Sequence, residues 1–130
     1  CNRTIKHSCT KEKMKKLLLL LLFIPLVSFG QAYVSPVGFK NDDYNKNKVI
    51  QYIKYDVKKT YSAIGMDNPT TLRMMEQENL NAFKELLSAK NKTLLKKVEK
   101  TYCDIGMCNY STILMMYKEE ANAASKSLEW

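Results

Sequence analysis

Residues 57–87, VKKTYSAIGMDNPTTLRMMEQENLNAFKELL, align with residues 98–128, VEKTYCDIGMCNYSTILMMYKEEANAASKSL, when the 130-residue chain is shifted by 41 positions. Fifteen of the 31 aligned pairs are identical, whereas ordinary composition gives about two by chance. Self-similarity at a fixed period is typical of repeat architectures, in which each repeat is one supersecondary unit. The stretch therefore predicts a 41-residue internal repeat.

Each unit has the pattern of a helix, a turn and a second helix. Gly65 and Gly106 suit the left-handed residue that ends a first helix. Asn68 and Asn109 then suit the N-cap of the second helix, and Pro69 suits its first position. Apolar residues recur at helical spacing before each turn, at Ile50, Ile53, Val57, Tyr61 and Ile64 and again at Leu94, Val98, Tyr102 and Ile105.

The repeat predicts an all-α fold, with two tandem helix-turn-helix hairpins packed as a small four-helix domain. We place the hairpins at residues 49–89 and 90–130, with second helices from about Pro69 to Ser88 and from about Tyr110 to Leu128. Residues 31–48 are polar and rich in Asn and Lys, which predicts a flexible tail. Helix geometry assigns an apolar core sector of the second helix to Leu72, Phe83, Leu86 and Leu87.

The segment 14–30 has the three parts of a secretory signal peptide: a basic start, an apolar stretch and small residues before a cleavage position. Cleavage is expected before Gln31 or Tyr33. The apolar stretch is shorter than the ~20 residues that a spanning helix needs, so no stable membrane span is expected after leader cleavage. We interpret residues 1–13 as upstream translation outside the native protein, with a long basic leader as the alternative. The protein is predicted to be exported, either periplasmic or secreted.

The formal charge of +8 lies mainly in the leader, because residues 1–30 carry six basic residues and one acidic residue. The remainder carries 15 basic and 12 acidic residues, so we expect no nucleic-acid binding. The single histidine, His7, also precedes the mature region. Its position excludes catalysis by Ser-His-Asp or Cys-His and zinc sites with imidazole ligands in that region. We assign no catalytic residue, metal site or cofactor.

The second helices share a face that mixes polar and apolar residues. One interpretation is structural: Glu78 and Asn81 turn inward and hydrogen-bond the backbone of the Gly-Met-x-Asn turn. The functional interpretation is a groove for an unknown protein or small ligand, lined by both copies of this face. Its candidate binding residues are Met74, Met75, Glu78 and Asn81 in the first unit and Met115, Met116, Glu119 and Asn122 in the second.

Two further functions remain as alternatives. Six methionines follow the leader, and thioethers select Cu(I), so the protein could be a Met-rich metal binder of the cell envelope. Methionine also fills irregular gaps in cores, and packing is the preferred interpretation because no histidine supplements the set. The second alternative is a small hydrolase that uses Glu78 and Glu119 as paired carboxylates.

Cys103 and Cys108 are the only cysteines after the leader, and their counterparts in the first unit are Ser62 and Asp67. An even pair in an oxidising compartment predicts a disulfide. Taken together, the sequence predicts an exported, soluble helical-repeat protein that acts by binding, as an interaction module in the cell envelope or outside the cell.

Overall fold

The structure is a computed structural model that describes residues 31–130. The predicted signal peptide at 14–30 and the segment at 1–13 lie outside the described residues. Within the described range the chain forms four helices and no strands: α1 (Asp43–Ser62), α2 (Pro69–Leu86), α3 (Lys92–Asp104) and α4 (Tyr110–Ala124). The predicted all-α class and the small four-helix domain are therefore confirmed.

The four helices form two hairpins that meet through their second helices. Hairpin 1 consists of α1 and α2, and hairpin 2 consists of α3 and α4. Helix α2 contacts both α1 and α4, and α4 contacts α3, so the helices touch in the order α1, α2, α4, α3. No helix between residues 31 and 130 is both long and apolar enough to cross a membrane.

The two turns have the caps that the sequence predicts. Gly65 and Gly106 adopt φ angles of 72° and 80°, in the left-handed region that favours glycine. Asn68 accepts a hydrogen bond from the N–H of Thr71 at 3.0 Å, and Asn109 accepts one from the N–H of Thr112 at 2.9 Å. Each second helix therefore begins at an asparagine cap that satisfies one of its free N–H groups.

The hydrophobic core joins the two hairpins. Its buried members are Val49, Tyr52, Ile53, Val57, Ala82, Phe83, Leu86, Leu95, Val98, Tyr110 and Ile113. The predicted stripes extend too far, because Ile64 and Ile105 follow the ends of α1 and α3 and are exposed. Ile50 and Leu87 are also more exposed than predicted, since Val49 and Leu86 occupy the inward positions beside them.

The prediction of a flexible tail at 31–48 is wrong. Helix α1 already begins at Asp43, and the residues before it pack against both hairpins. The ring of Tyr33 lies 5.5 Å from that of Tyr52 and 5.2 Å from that of Tyr110. Tyr110 in turn donates its hydroxyl to the carbonyl of Val34 at 2.8 Å. Aromatic residues supply this segment with enough apolar surface to become part of the core.

Residues 33–39, which we name the N-terminal segment, also contact α2 and α3. Phe39 packs edge-on against Phe83 with ring centres 5.0 Å apart. Ser35 donates its hydroxyl to the carboxylate of Glu99, at 3.0 and 2.9 Å to the two oxygens. Burial raises the pKa of Glu99, and the hydrogen bonds from Ser35 act in the opposite direction. The N-terminal segment thus contacts all four helices and completes their core.

Candidate functional site

A groove of about 420 Å³ lies between hairpin 1 and the start of α4. We name it the interhairpin groove. Hairpin 1 supplies Asp56, Val57, Thr60 and Tyr61 from α1 and Met75, Glu78 and Asn79 from α2. Hairpin 2 supplies Asn109, Ser111, Thr112 and Met115.

The groove forms where the buried faces of α1 and α2 change from apolar to polar. On α1, Asp56 and Thr60 continue the row that begins with the buried Tyr52 and Ile53. On α2, Asn79 lies one turn before the buried Phe83. These polar side chains do not pack together as apolar core residues do, which leaves a space between them. The first turn of α4 borders this space.

Asn79 fixes the position of α4 at the groove. It is only 6% exposed, it donates to the carbonyl of Met75 at 3.0 Å, and its side-chain oxygen accepts the N–H of Ser111 at 3.3 Å. Asn109 accepts the N–H of Thr112. The N–H groups of Ser111 and Thr112, which would otherwise attract an anion, are therefore already satisfied within the protein.

The remaining polar groups give the groove an acidic character. Asp56 and Glu78 bring two carboxylates, and no lysine or arginine is among the lining residues. Burial raises the pKa of Asp56, and the positive charge of Lys59 on the same helix partly opposes that shift. The hydroxyl of Ser111 is buried without a hydrogen-bond partner. The groove thus presents two carboxylates to whatever enters it.

Three of the candidate binding residues meet in this groove. Met75 and Glu78 line it from hairpin 1 and Met115 lines it from hairpin 2. Met74, Asn81, Glu119 and Asn122 are exposed and lie outside the lining, while Met116 packs against the core. Because Glu119 is not part of the groove, Glu78 and Glu119 are not paired there as the hydrolase alternative requires.

The interpretation in which Glu78 and Asn81 turn inward to cap the turn is wrong. Both side chains are exposed, and Asn81 accepts a hydrogen bond from Gln77 at 2.9 Å instead. The physical reason is the rotation of α2, which directs Asn79 and Ala82 toward the other helices. The asparagine caps, rather than the glutamates, satisfy the start of each second helix.

Sequence reasoning missed Asp56, Asn79 and Ser111. Asp56 and Asn79 were detectable in principle, because each occupies a position of the buried face where the helical pattern calls for an apolar residue. Ser111 carried no comparable signal. Its role depends on the approach of α4 to α2, which brings residues 32 positions apart into hydrogen-bond contact.

The disulfide predicted between Cys103 and Cys108 is present, with Cα atoms 4.2 Å apart. It closes the turn that carries Asn109 and thereby supports one wall of the interhairpin groove. Within residues 31–130, no three or more His, Cys, Asp or Glu side chains converge as they would around a metal ion.

No family model matches the chain, and comparisons with curated proteins and with solved structures also give no match.

Proposed function

We propose that the protein is a binding module whose ligand carries a primary ammonium or guanidinium group and enters the interhairpin groove. The observation that carries the proposal is the charge of the lining: two carboxylates and no basic side chain, in a chain rich in lysine. Burial disfavours the ionised form of Asp56, and a bound cation would stabilise that form.

The other lining groups complement such a ligand. Carboxylates accept charge-assisted hydrogen bonds from ammonium and guanidinium donors. The thioethers of Met75 and Met115 adapt to the stem of a long basic side chain. An anionic ligand is disfavoured because the nearby N–H groups of α4 already have partners.

Titration with short capped peptides tests the proposal. The peptides Gly-Lys-Gly and Gly-Arg-Gly should shift the NMR signals of the Asn79 side chain and of the Met75 and Met115 methyl groups, whereas Gly-Glu-Gly should not. Replacing both carboxylates, by Asp56→Asn with Glu78→Gln, should weaken binding at least about tenfold, since each charged hydrogen bond contributes about 1.5–3 kcal/mol.

Glu119→Gln is the matched control for this experiment. It removes the same carboxylate from the corresponding position of hairpin 2, outside the groove, and should leave peptide affinity unchanged. Equal binding of the glutamate peptide, or full binding by the variant lacking both carboxylates, would contradict the proposal.

Cu(I) binding is the second candidate, because Met75 and Met115 come from different hairpins and line the same groove. Competition with a Cu(I) chelator measures it. Met75→Leu and Met115→Leu should each reduce Cu(I) affinity, and the exposed Met74→Leu should not. Binding of Cu(I) that survives both groove substitutions would place the metal elsewhere and reject this candidate.

Export remains part of the proposed function. The disulfide supports it, because disulfides persist mainly in oxidising compartments. The chain expressed from Met14 in a bacterial host should be recovered outside the cytoplasm with its leader removed, starting at Gln31 or Tyr33. Intact-mass measurement checks the start, and a product that retains Met14 in the membrane fraction would contradict export.

A further inference from the structure

The interhairpin groove joins two surfaces that each occur twice in the chain. One surface is the face of hairpin 1, which supplies seven of the lining residues, and five of these are identical 41 positions later in hairpin 2. The identical residues of hairpin 2 are Val98, Thr101, Tyr102, Met116 and Glu119. We name this second copy the hairpin 2 face.

The other surface is the start of the second helix. In the groove it consists of Asn109, Ser111, Thr112 and Met115 of hairpin 2. Its counterparts in hairpin 1 are Asn68, Thr70, Thr71 and Met74, of which three are identical and one exchanges a serine for a threonine. We name these four residues the hairpin 1 tip.

Within one chain, the hairpin 1 face meets the start of α4, but the hairpin 2 face and the hairpin 1 tip do not meet. The hairpin 1 face borders the start of α4, whereas the hairpin 1 tip is largely exposed and Met74 is 61% exposed. On the hairpin 2 face, Thr101 and Glu119 are also exposed. Substitutions at exposed positions usually have little effect on stability, so such positions diverge easily after a duplication. Packing within the chain therefore does not explain why these exposed residues are identical in the two hairpins.

We propose that the hairpin 2 face binds the hairpin 1 tip of a second copy of this chain. The contact would continue the interface that already joins the two hairpins, so that each added chain supplies the next pair of hairpins. Stacking of neighbours in this way is how helical repeats bury faces that a single repeat leaves open. The contact is head-to-tail, and each complex keeps one free face and one free tip.

The positions that differ between the hairpins fit this contact. Glu120 replaces Asn79, and its carboxylate can accept the N–H of Thr70 as Asn79 accepts that of Ser111. Lys97 replaces Asp56 on the hairpin 2 face, and the incoming tip carries the acidic Asp67. Within its own chain Asp67 pairs with Lys58, so Lys97 would join an existing ion pair.

The aromatic contact of the internal interface is not reproduced. Phe83 and Tyr110, whose rings lie 4.9 Å apart, correspond to Ala124 and Pro69. Two large residues are replaced by two small ones, which reduces the apolar area that is buried. Self-association should consequently be weak and should depend on concentration.

Sedimentation velocity over a wide range of concentration tests the proposal, with the full chain expressed and recovered as the cell processes it. The average sedimentation coefficient of the wild type should increase with concentration. Met74→Glu on the tip and Thr101→Arg on the face should each weaken association at least about tenfold. Each substitution would bury an unpaired charge in the contact between two copies. Asn47→Glu and Asn47→Arg are the controls, at an exposed position of α1.

Mixing the two variants distinguishes a head-to-tail contact from a symmetric one. Met74→Glu retains an intact face and Thr101→Arg retains an intact tip, so an equimolar mixture should form dimers and nothing larger. A wild type that stays monomeric throughout, variants that associate like the wild type, or a mixture that does not dimerise would each overturn the proposal. Thermal melts confirm that both exposed substitutions leave the fold intact.

Discussion

The turns of hairpin 1 and hairpin 2 share the residues Ile-Gly-Met-x-Asn but are closed by different bonds. In hairpin 1, Ser62 donates a hydrogen bond to Asp67 at 3.4 Å, and Lys58 forms an ion pair with the same carboxylate at 3.1 Å. In hairpin 2, the equivalent positions are Cys103 and Cys108, which form the disulfide. The same local backbone therefore accepts either a polar or a covalent closure.

The surroundings of the two turns explain the difference. The turn of hairpin 1 is exposed, and the hydrogen bond from Lys58 holds the pKa of Asp67 below its usual value. The turn of hairpin 2 packs against hairpin 1, where Tyr52 donates its hydroxyl to the carbonyl of Cys108. A charged pair at that contact would lose its hydration, whereas a disulfide has no charge to desolvate. Environment, more than local sequence, decides which closure each turn can use.

The largest expected difference between the hairpins concerns the first residue of each second helix. Tyr110 is fully buried, so Tyr110→Ala should lower the free energy of unfolding by about 3–5 kcal/mol. Pro69, the exposed residue at the same position, should tolerate Pro69→Ala within about 1 kcal/mol. Urea denaturation measures both changes.

If Tyr110→Ala does not fold, Tyr110→Phe keeps the ring and leaves the carbonyl of Val34 without its donor. A loss of about 1–3 kcal/mol is then expected. Similar losses at positions 69 and 110 would show that the two hairpins contribute equally to the core, which contradicts the asymmetry described above.

The closure of the turns provides the second test. Replacing both cysteines, by Cys103→Ala with Cys108→Ala, should lower the free energy of unfolding by about 2 kcal/mol, as the chain-entropy model gives for so short a loop. Ser62→Ala with Asp67→Ala should lower it by clearly less, because that polar network is exposed to solvent. Chemical denaturation without reductant checks the two pairs side by side. Equal losses would mean that the covalent closure has no special role.

The smallest effect is expected at Asp56, whose counterpart in hairpin 2 is Lys97. The pKa of Asp56 is raised in the folded protein, so the folded state loses stability as pH rises from below 3.8 through that raised value. Asp56→Asn should therefore raise the thermal midpoint at neutral pH, by an amount equivalent to less than about 1 kcal/mol because solvent screens the carboxylate. The difference should disappear below the ordinary Asp pKa of 3.8.

The exposed Lys97→Gln serves as the control for Asp56→Asn and should leave the thermal midpoint nearly unchanged. A lower midpoint for Asp56→Asn at neutral pH would show that the carboxylate makes a stabilising contact within the protein. The cationic-ligand proposal would then lose the support that it takes from the burial of Asp56.

Local rules predicted the parts of the fold that depend on neighbouring residues. The asparagine caps, the glycines with positive φ and the disulfide each involve residues at most five positions apart, and all were recognisable from sequence. The N-terminal segment was not, because Tyr33 and Ser35 find their partners on α1, α3 and α4. No local sequence pattern distinguishes a flexible polar tail from a polar segment whose few aromatic residues pack into a core formed by residues far along the chain.

The candidate site was predicted only in part for the same reason. Repetition drew attention to Met75, Glu78 and Met115, and these three residues line one groove. It could not find Asp56 or Asn79, because neither is repeated in hairpin 2. A search for internal similarity cannot detect residues at which the two hairpins differ.

The contact between Val34 and Tyr110 has a consequence for the timing of synthesis. These residues are 76 positions apart, and at typical rates of about 5–20 residues per second the ribosome needs about 4–15 s to add the intervening chain. During that interval the N-terminal segment has no Tyr110 to receive it, and α1 and α2 lack the residue that fills the space between them. The core therefore stays open until hairpin 2 has been synthesised.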